Sequence, residues 1–256
     1  MSKRDPISMH RSEGRIDEFE VLCSIPELTV RLERMRKTTE IKGLETGQTE
    51  SLLIPLSGRV KVRVAGARSS VFLGEKDTCY LPVQTEFSVM AEEPADLIWA
   101  QAPAGKRHPA YAKRFARTKV IESGTGPYTR RVITTIGERD PAERFIAGFV
   151  EGEEGNWTSF PPHRHDGKPE VYIFFGMGKR FGVQVVGAAG EERAFVVRDG
   201  DAVTFERGYH PNVATPGVGM SFLWIISADP SSRNLSVEFH PDYKDMPVGK
   251  THLSLK

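Results

Sequence analysis

The sequence predicts an all-β protein built from antiparallel strands. Glycine, proline, aspartate or asparagine interrupts the chain about every 8 to 12 residues, and the segments between are rich in Val, Ile, Phe and Thr with two-residue alternation. Helical periodicity is scarce. This rhythm is typical of a sandwich or barrel, and it recurs in both halves of the chain, which favours an internal duplication.

The strands can be placed in order along the chain. In the first half they are predicted over 51–55, 60–64, 79–83, 87–90 and 96–100, with turns at 57–58 and 65–66. In the second half they are predicted over 130–136, 145–150, 171–175, 182–186, 193–197, 202–205 and 220–227. Between the halves, 102–127 combines prolines, glycines and a basic cluster, which indicates a solvated linker or short helix. We therefore expect two domains, residues 1–127 and 128–256.

The composition limits the function classes. With 35 Lys and Arg against 34 Asp and Glu, the formal net charge is +1, so no global field draws the chain to nucleic acid or to an anionic membrane. No segment approaches the roughly 18 apolar residues of a spanning helix, and no apolar h-region follows the amino terminus, so we expect a cytoplasmic protein. Cys23 and Cys79 lack CxxC spacing and predict no disulfide framework or thiolate zinc site. Residues 22–32 could pack on another subunit, which leaves a homo-oligomer open.

Four residues in the second half have the chemistry and spacing of metal ligands. His163 and His165 are two residues apart, so an extended backbone directs both imidazoles to the same face. Glu170 follows a short turn and can return a carboxylate from the next strand, and His210 ends a late strand of the same half. Three imidazoles and one carboxylate suit a divalent ion such as Zn, Mn or Fe, and leave positions for substrate oxygens.

The alternative for each histidine is a local hydrogen bond, because an isolated HxH pair is common by chance. Convergence of four such residues on neighbouring strands favours the metal. The sequence therefore predicts a divalent metal ion as the cofactor.

The same residues carry a resemblance to a known family. The pattern His163-x-His165-x4-Glu170, followed by Gly200-Asp201 and Gly208-Tyr209-His210-Pro211, resembles the two motifs of the cupin superfamily. The stretch 155–166 together with 197–201 and 207–211 is similar to the two-cupin uronate isomerases. These comprise the 5-deoxy-glucuronate isomerases of inositol catabolism and the 4-deoxy-5-hexosulose-uronate ketol-isomerases.

The resemblance implies a fold and an activity. The fold would be a bicupin of two tandem jelly-roll barrels, of which the amino-terminal one lacks ligands. The activity would be metal-dependent conversion of 5-deoxy-glucuronate to 5-dehydro-2-deoxy-gluconate. The short turn before Glu170 is closer to the ketol-isomerase branch, so that substrate stays open. Two rival hypotheses are a metal cupin dioxygenase and a non-enzymatic sugar-binding cupin.

Aldose–ketose isomerisation by proton transfer needs a base and stabilisation of an enediolate, which a divalent Lewis acid supplies. Tyr209, beside a ligand, and Tyr172, two residues after Glu170, are the candidates for the base. Gln184 could orient a substrate hydroxyl. The alternative for all three is packing within the barrel with a polar tip.

A small sugar acid, the expected partner, brings a carboxylate that favours a cationic side chain. Lys179, Arg180 and Arg207 follow or precede predicted strands and are the candidates to bind it. Trp157 could form an apolar wall over the sugar ring. Solvated turns and core packing are the respective alternatives.

Overall fold

The computed structural model describes residues 5–165, 167–188, 190–251 and 253–255, so Asp166 of the histidine-rich stretch lies outside the described residues. It confirms the all-β prediction. Helix in the described residues is confined to four 3-10 turns, at Phe115–Arg117, Gly126–Tyr128, Pro230–Ser232 and Pro241–Tyr243.

Twenty-four strands lie in the described residues. The first twelve are β1 (Ile7–His10), β2 (Phe19–Ile25), β3 (Leu28–Met35), β4 (Glu40–Glu45), β5 (Thr49–Ser57), β6 (Val60–Val64), β7 (Val71–Leu73), β8 (Thr78–Leu81), β9 (Glu86–Ala91), β10 (Ala95–Pro103), β11 (Tyr111–Lys113) and β12 (Val120–Ser123). The others are β13 (Arg130–Ile136), β14 (Phe145–Gly152), β15 (Trp157–Thr158), β16 (His163–Arg164), β17 (Glu170–Phe175), β18 (Gly182–Ala188), β19 (Glu191–Val197), β20 (Ala202–Phe205), β21 (Asn212–Ala214), β22 (Ser221–Ser227), β23 (Ser236–Phe239) and β24 (Ser254–Leu255).

Every predicted strand overlaps an observed one, but the sequence pattern missed the strands that precede residue 49. Residues 22–32, considered above as a surface for another subunit, form most of β2 and β3, and Leu22, Leu28 and Leu32 are buried within the chain. The segment 102–127 is also more regular than a linker, since it contains β11 and β12. In β2 and β3 the pattern was obscured because the charged residues Glu20 and Glu33 are buried.

The chain divides into two compact units. The amino-terminal unit comprises Glu13–Thr118 and Arg139–Phe145, and the carboxy-terminal unit comprises Met1–Ser12, Lys119–Glu138 and Ile146–Lys256. Residues 5–12 and 139–145 thus belong to the unit on the other side of the boundary expected after residue 127. The short β1 pairs with β20, which places it with the carboxy-terminal unit. The division into two barrels at residue 127 stays a prediction.

The amino-terminal unit contains a six-stranded sheet, in the order β11-β8-β5-β10-β3-β2, and a four-stranded sheet, in the order β4-β9-β6-β7. Its apolar core includes Leu53, Val60 and Trp99. A buried carboxylate holds the returning segment 139–145: Glu50 accepts hydrogen bonds from the backbone N–H groups of Glu143 and Arg144, each at 2.7 Å.

The carboxy-terminal unit contains a seven-stranded sheet, in the order β1-β20-β17-β22-β14-β13-β12, beside sheets in the orders β15-β21-β18-β19 and β16-β23-β24. Within the described residues each sheet has two free edges, so none closes on itself. Aromatic and β-branched residues of β17 and β22 supply much of the core, with Tyr172 stacked on Phe222 at 4.2 Å between ring centroids. β17 lies between β20 and β22, antiparallel to both.

Among the residues described, none of the helices has the length and apolar character that a membrane crossing requires.

Candidate metal centre

The strand pairing of the carboxy-terminal unit brings the four predicted ligands together. His163 begins β16, and His165 follows that strand by one residue. Glu170 begins β17 and lies opposite Phe205, the last residue of β20. The chain turns after β20 and returns to place the His210 ring on Phe205, 4.3 Å between ring centroids. Residues distant in sequence therefore meet at the start of β17 and the end of β20.

The ligand atoms of His163, His165 and His210 all lie within 4.8 Å of one another, and all three side chains are buried. Glu170 closes the group, because its Oε2 lies 3.5 Å from His210 Nε2 and 3.9 Å from His165 Nε2. Distances of this size leave room for an ion between ligand atoms that each approach it to about 2.0–2.2 Å.

Two histidines are held in the tautomer that metal binding requires. The Nδ1–H of His163 donates to the carbonyl of Pro161 at 3.0 Å, and the Nδ1–H of His210 donates to the carbonyl of Gly208 at 2.9 Å. A carbonyl can only accept, so Nε2 of each ring keeps a free lone pair. His210 Nε2 and Glu170 Oε2 are buried without a hydrogen-bond partner in the described residues. Such orphaned polar atoms are costly unless a bound group satisfies them, and this donor set fits a divalent metal ion.

Burial shifts the pKa values of the four predicted ligands in the direction that favours their neutral forms. It lowers the pKa of His163 to about 4 and holds the pKa values of His165 and His210 well below the usual 6.5. It also raises the pKa of Glu170 well above 4.5. The imidazoles are therefore neutral at pH 7, the form that binds metals, and a cation would favour the ionised carboxylate.

Gln184, predicted to orient a substrate hydroxyl, instead supports the backbone around His210. Its side-chain amide donates to the carbonyls of Val185, His210 and Pro211, at 2.8, 3.0 and 3.2 Å. Its Oε1 accepts a hydrogen bond from Asn212 at 2.8 Å, and Asn212 in turn bonds to Thr158. The described contacts therefore engage both ends of the Gln184 amide with the protein.

Lys168 supports the turn between His165 and Glu170 through hydrogen bonds of its ammonium group. Its Nζ donates to the Asn234 carbonyl and to Asn234 Oδ1, each at 2.8 Å, and to Ser236 Oγ at 3.1 Å. These bonds tie the turn between His165 and Glu170 to β23.

The centre opens onto a small cavity of about 30 Å³. Three of the predicted ligands, His163, His165 and Glu170, line it together with Arg130, Ser159 and Tyr172 and an apolar wall of Val150, Phe222, Trp224, Ile226, Leu235 and Leu253.

Tyr172 is the predicted catalytic residue that lies in this cavity. Its hydroxyl is 3.0 Å from Ser159 Oγ. Burial, together with the nearby Glu170, raises the pKa of Tyr172 well above 10. The phenol is therefore protonated at neutral pH and can donate a hydrogen bond.

Tyr209 and Trp157 lie in a different place, an outer cleft of about 580 Å³. The ring centroids of Tyr209 and His240 are 4.6 Å apart. The Arg164 guanidinium carbon lies over the Tyr209 ring, 5.2 Å from its centroid. Tyr209 follows the alternation of an extended backbone and faces away from the neighbouring His210.

The structure also separates the predicted carboxylate partners from the cavity. Lys179 and Arg180 are exposed in the turn after β17, whereas Glu170 begins that strand. At about 3.3 Å per residue they lie at the opposite end of β17. Arg207 is exposed as well and does not line this cavity, but it lines a second crevice that also contains His165, Glu170 and His210.

Arg130 is the functional candidate that sequence reasoning missed. It begins β13 and is only 3% exposed, whereas the adjacent Arg131 is exposed and pairs with Glu151. A signal was present, because Arg130 is in phase with the buried Val132 on the inward face of the strand.

Comparison with known proteins finds a matching family model and relatives that are named isomerases. The model of the KduI/IolB family matches residues 24–246. A 5-deoxy-glucuronate isomerase of Geobacillus kaustophilus is 30% identical over 194 residues, 68% of this chain and 70% of the relative. A 4-deoxy-L-threo-5-hexosulose-uronate ketol-isomerase of Opitutus terrae is 28% identical over 175 residues, 66% of this chain and 62% of the relative. The crystal structure of an iolb-like protein from Salmonella typhimurium has a TM-score of 0.82 at 19% identity and covers 94% of this chain and 98% of its own.

Proposed function

The chain belongs to the KduI/IolB family, and from this premise we propose that it is an aldose–ketose isomerase of deoxy-uronate sugars. We propose 5-deoxy-glucuronate as the substrate and 5-dehydro-2-deoxy-gluconate as the product, as in inositol catabolism. The relatives that are named 5-deoxy-glucuronate isomerase support this choice. They also favour an isomerase over the dioxygenase and the sugar-binding protein considered above.

The observation that carries the proposal is the buried group of His163, His165, His210 and Glu170 beside a cavity with polar side chains. We propose that these four residues hold Zn, Mn or Fe. When bound, the ion supplies Lewis-acid stabilisation of negative charge on the substrate oxygens.

The other side chains of the cavity orient the substrate and exclude water in this proposal. Ser159 holds the Tyr172 hydroxyl at 3.0 Å and so fixes its direction. Because that phenol is protonated, we propose that Tyr172 donates a hydrogen bond to a substrate oxygen. The apolar wall around Phe222 and Trp224 excludes water, which strengthens these polar contacts.

A second candidate substrate is 4-deoxy-5-hexosulose-uronate, supported by the ketol-isomerase relative. Both reactions move a proton beside a carbonyl of a sugar acid, so the same cavity serves either. We also propose that the two units are cupin barrels of the jelly-roll type, of which the amino-terminal one lacks ligands. The overall likeness to the iolb-like protein supports a shared fold.

The test combines metal analysis with turnover. The parent is expected to contain nearly one equivalent of Zn, Mn or Fe and to convert 5-deoxy-glucuronate, followed by proton NMR. The variants His163→Ala and His210→Ala should lose both properties, whereas His108→Ala, a histidine of the other unit, should keep them. A parent loaded with each ion in turn that converts neither deoxy-uronate contradicts the proposal.

A further inference from the structure

We infer that Arg130 binds the carboxylate of the sugar acid inside the metal cavity. The inference rests on the proposed function and extends it, because it assigns the residue that selects an acid over a neutral sugar. It replaces the exposed cations Lys179, Arg180 and Arg207 with a buried one.

The first argument is the unmet binding capacity of the guanidinium. Arg130 is 3% exposed and lines the cavity, yet its described hydrogen bond is a single one, from Nη1 to the carbonyl of Tyr128 at 3.1 Å. Among the described residues, no carboxylate pairs with it. A guanidinium has five N–H donors in a planar fork that matches a carboxylate. A buried charge without an anion is costly, so an anionic ligand would complete the site.

The second argument is that the backbone is shaped to receive this side chain. Gly124 has a positive φ of 80°, and a Cβ there would lie 2.8 Å from Arg130 Nη1 and 2.2 Å from the carbonyl of Tyr128. The absence of a side chain at Gly124 therefore lets the guanidinium lie against the backbone. Arg130 is thus held in one position before any ligand arrives, which lowers the entropy lost on binding.

The third argument is the position of Arg130 among the reacting groups. Arg130 lines the same cavity as Tyr172 and the predicted ligands His163 and Glu170. Burial lowers the pKa of Arg130 itself to about 10, so the guanidinium is charged at neutral pH. A uronate carries its carboxylate at the end of the carbon chain opposite the reacting carbonyl. A cation and predicted metal ligands that line one cavity offer a partner for each of these two ends.

Other cations do not compete for this role within the cavity. The described residues that line it include no lysine and no second arginine. Lys168, the nearest buried lysine in sequence to the ligands, donates to three acceptors of Asn234 and Ser236.

The test compares an acid with its neutral counterpart. Binding of D-glucuronate and D-glucose to the metal-loaded protein is measured by calorimetry for the parent, Arg130→Met, Arg130→Lys and Arg131→Met. Arg131 is the matched control, because it is the next residue of the same strand and faces solvent. The parent is expected to prefer glucuronate about ten- to hundredfold, the usual contribution of a charged hydrogen-bonded pair. Arg130→Met should lose that preference, Arg130→Lys should keep part of it, and Arg131→Met should keep all of it.

The outcomes separate this inference from the proposed function. An undiminished preference in Arg130→Met, or a parent that does not distinguish the two sugars, overturns the carboxylate assignment. If Arg130→Met does not fold, the preference of Arg130→Lys decides, and a value equal to that of the parent overturns the assignment. Turnover of 5-deoxy-glucuronate by the parent is measured in parallel. If the parent turns over 5-deoxy-glucuronate but the Arg130 variants keep the full preference for glucuronate, the proposed isomerase activity is supported and the carboxylate assignment is not. If the preference depends on Arg130 but the parent shows no turnover, the carboxylate site is supported and the isomerase activity is not.

Discussion

The carboxylate Oε2 of Glu170 lies 3.5 Å from Nε2 of His210, and both atoms are buried without a hydrogen-bond partner in the described residues. The folded chain thus buries two polar atoms that receive no hydrogen bond from the described residues. A bound cation would satisfy both atoms at once, so the metal should contribute to stability as well as to chemistry.

Metal binding is therefore expected to raise the melting temperature. At a free ion concentration 100 times the dissociation constant, the gain is about 2.7 kcal/mol, or very roughly 5–10 °C for a chain of this size. Glu170→Gln should lose most of the shift, and Glu154→Gln, an exposed control, should retain it. Differential scanning calorimetry with and without a chelator measures the effect, and equal shifts in the parent and Glu170→Gln would contradict the assigned ligand.

Tyr172→Phe keeps the ring that stacks on Phe222 but removes the hydroxyl that contacts Ser159. We expect kcat to fall about 10²- to 10⁴-fold, the usual contribution of a positioned proton donor, with a loss of only about 1 kcal/mol in stability. Tyr243→Phe in the outer cleft is the matched control and should leave kcat unchanged. A fall of less than threefold in Tyr172→Phe would remove this tyrosine from the mechanism.

Gln184→Leu should weaken metal binding without touching a ligand. It leaves the carbonyls of His210 and Pro211 without the amide donor that now fixes them, so His210 should lose its orientation. We expect a 10- to 100-fold lower metal affinity, measured by competition with a chromophoric chelator. Gln101→Leu, which breaks a hydrogen bond to Thr49 in the other unit, controls for general destabilisation. Equal metal affinities in the two variants would show that Gln184 does not position the ligand.

Glu33 is expected to make the stability of the amino-terminal unit depend on pH. It is 1% exposed, and burial, with smaller effects of Asp17 and Glu18, raises its pKa to about 7. The unfolded chain releases this proton near pH 4.5 and the folded chain near pH 7, so the free energy of unfolding falls as the pH rises between these values.

Glu33→Gln should remove this dependence. The variant is expected to be more stable than the parent by about 1–2 kcal/mol at pH 8, after allowance for solvent screening of the neighbouring acids, and no more stable at pH 4. Urea denaturation at both pH values measures it, with the exposed Glu45→Gln as the control. A gain of equal size at pH 4 would point to packing rather than to ionisation.

The limits of the sequence-based predictions have physical causes. The convergence of the predicted ligands could be anticipated because His163, His165 and Glu170 lie on adjacent short segments, where two-residue periodicity fixes the direction of the side chains. Tyr209 is adjacent to His210 in sequence but lines the outer cleft, so adjacency in sequence did not predict which tyrosine lines the cavity. Arg130 was missed because its partners in the cavity come from β14, β17 and β22, and this convergence depends on strand order rather than on local pattern.

The small cavity beside the ligands has a kinetic consequence. If the wall residues, Leu253 among them, have to move for a sugar acid to enter and leave, each catalytic cycle contains an opening and a closing step. If those steps are slower than proton transfer, kcat should fall as solvent viscosity rises and should show little change when the transferred hydrogen is deuterium. Opening of the cavity wall would then be the rate-limiting step. Turnover would depend on the flexibility of the wall residues rather than on the acidity of any side chain.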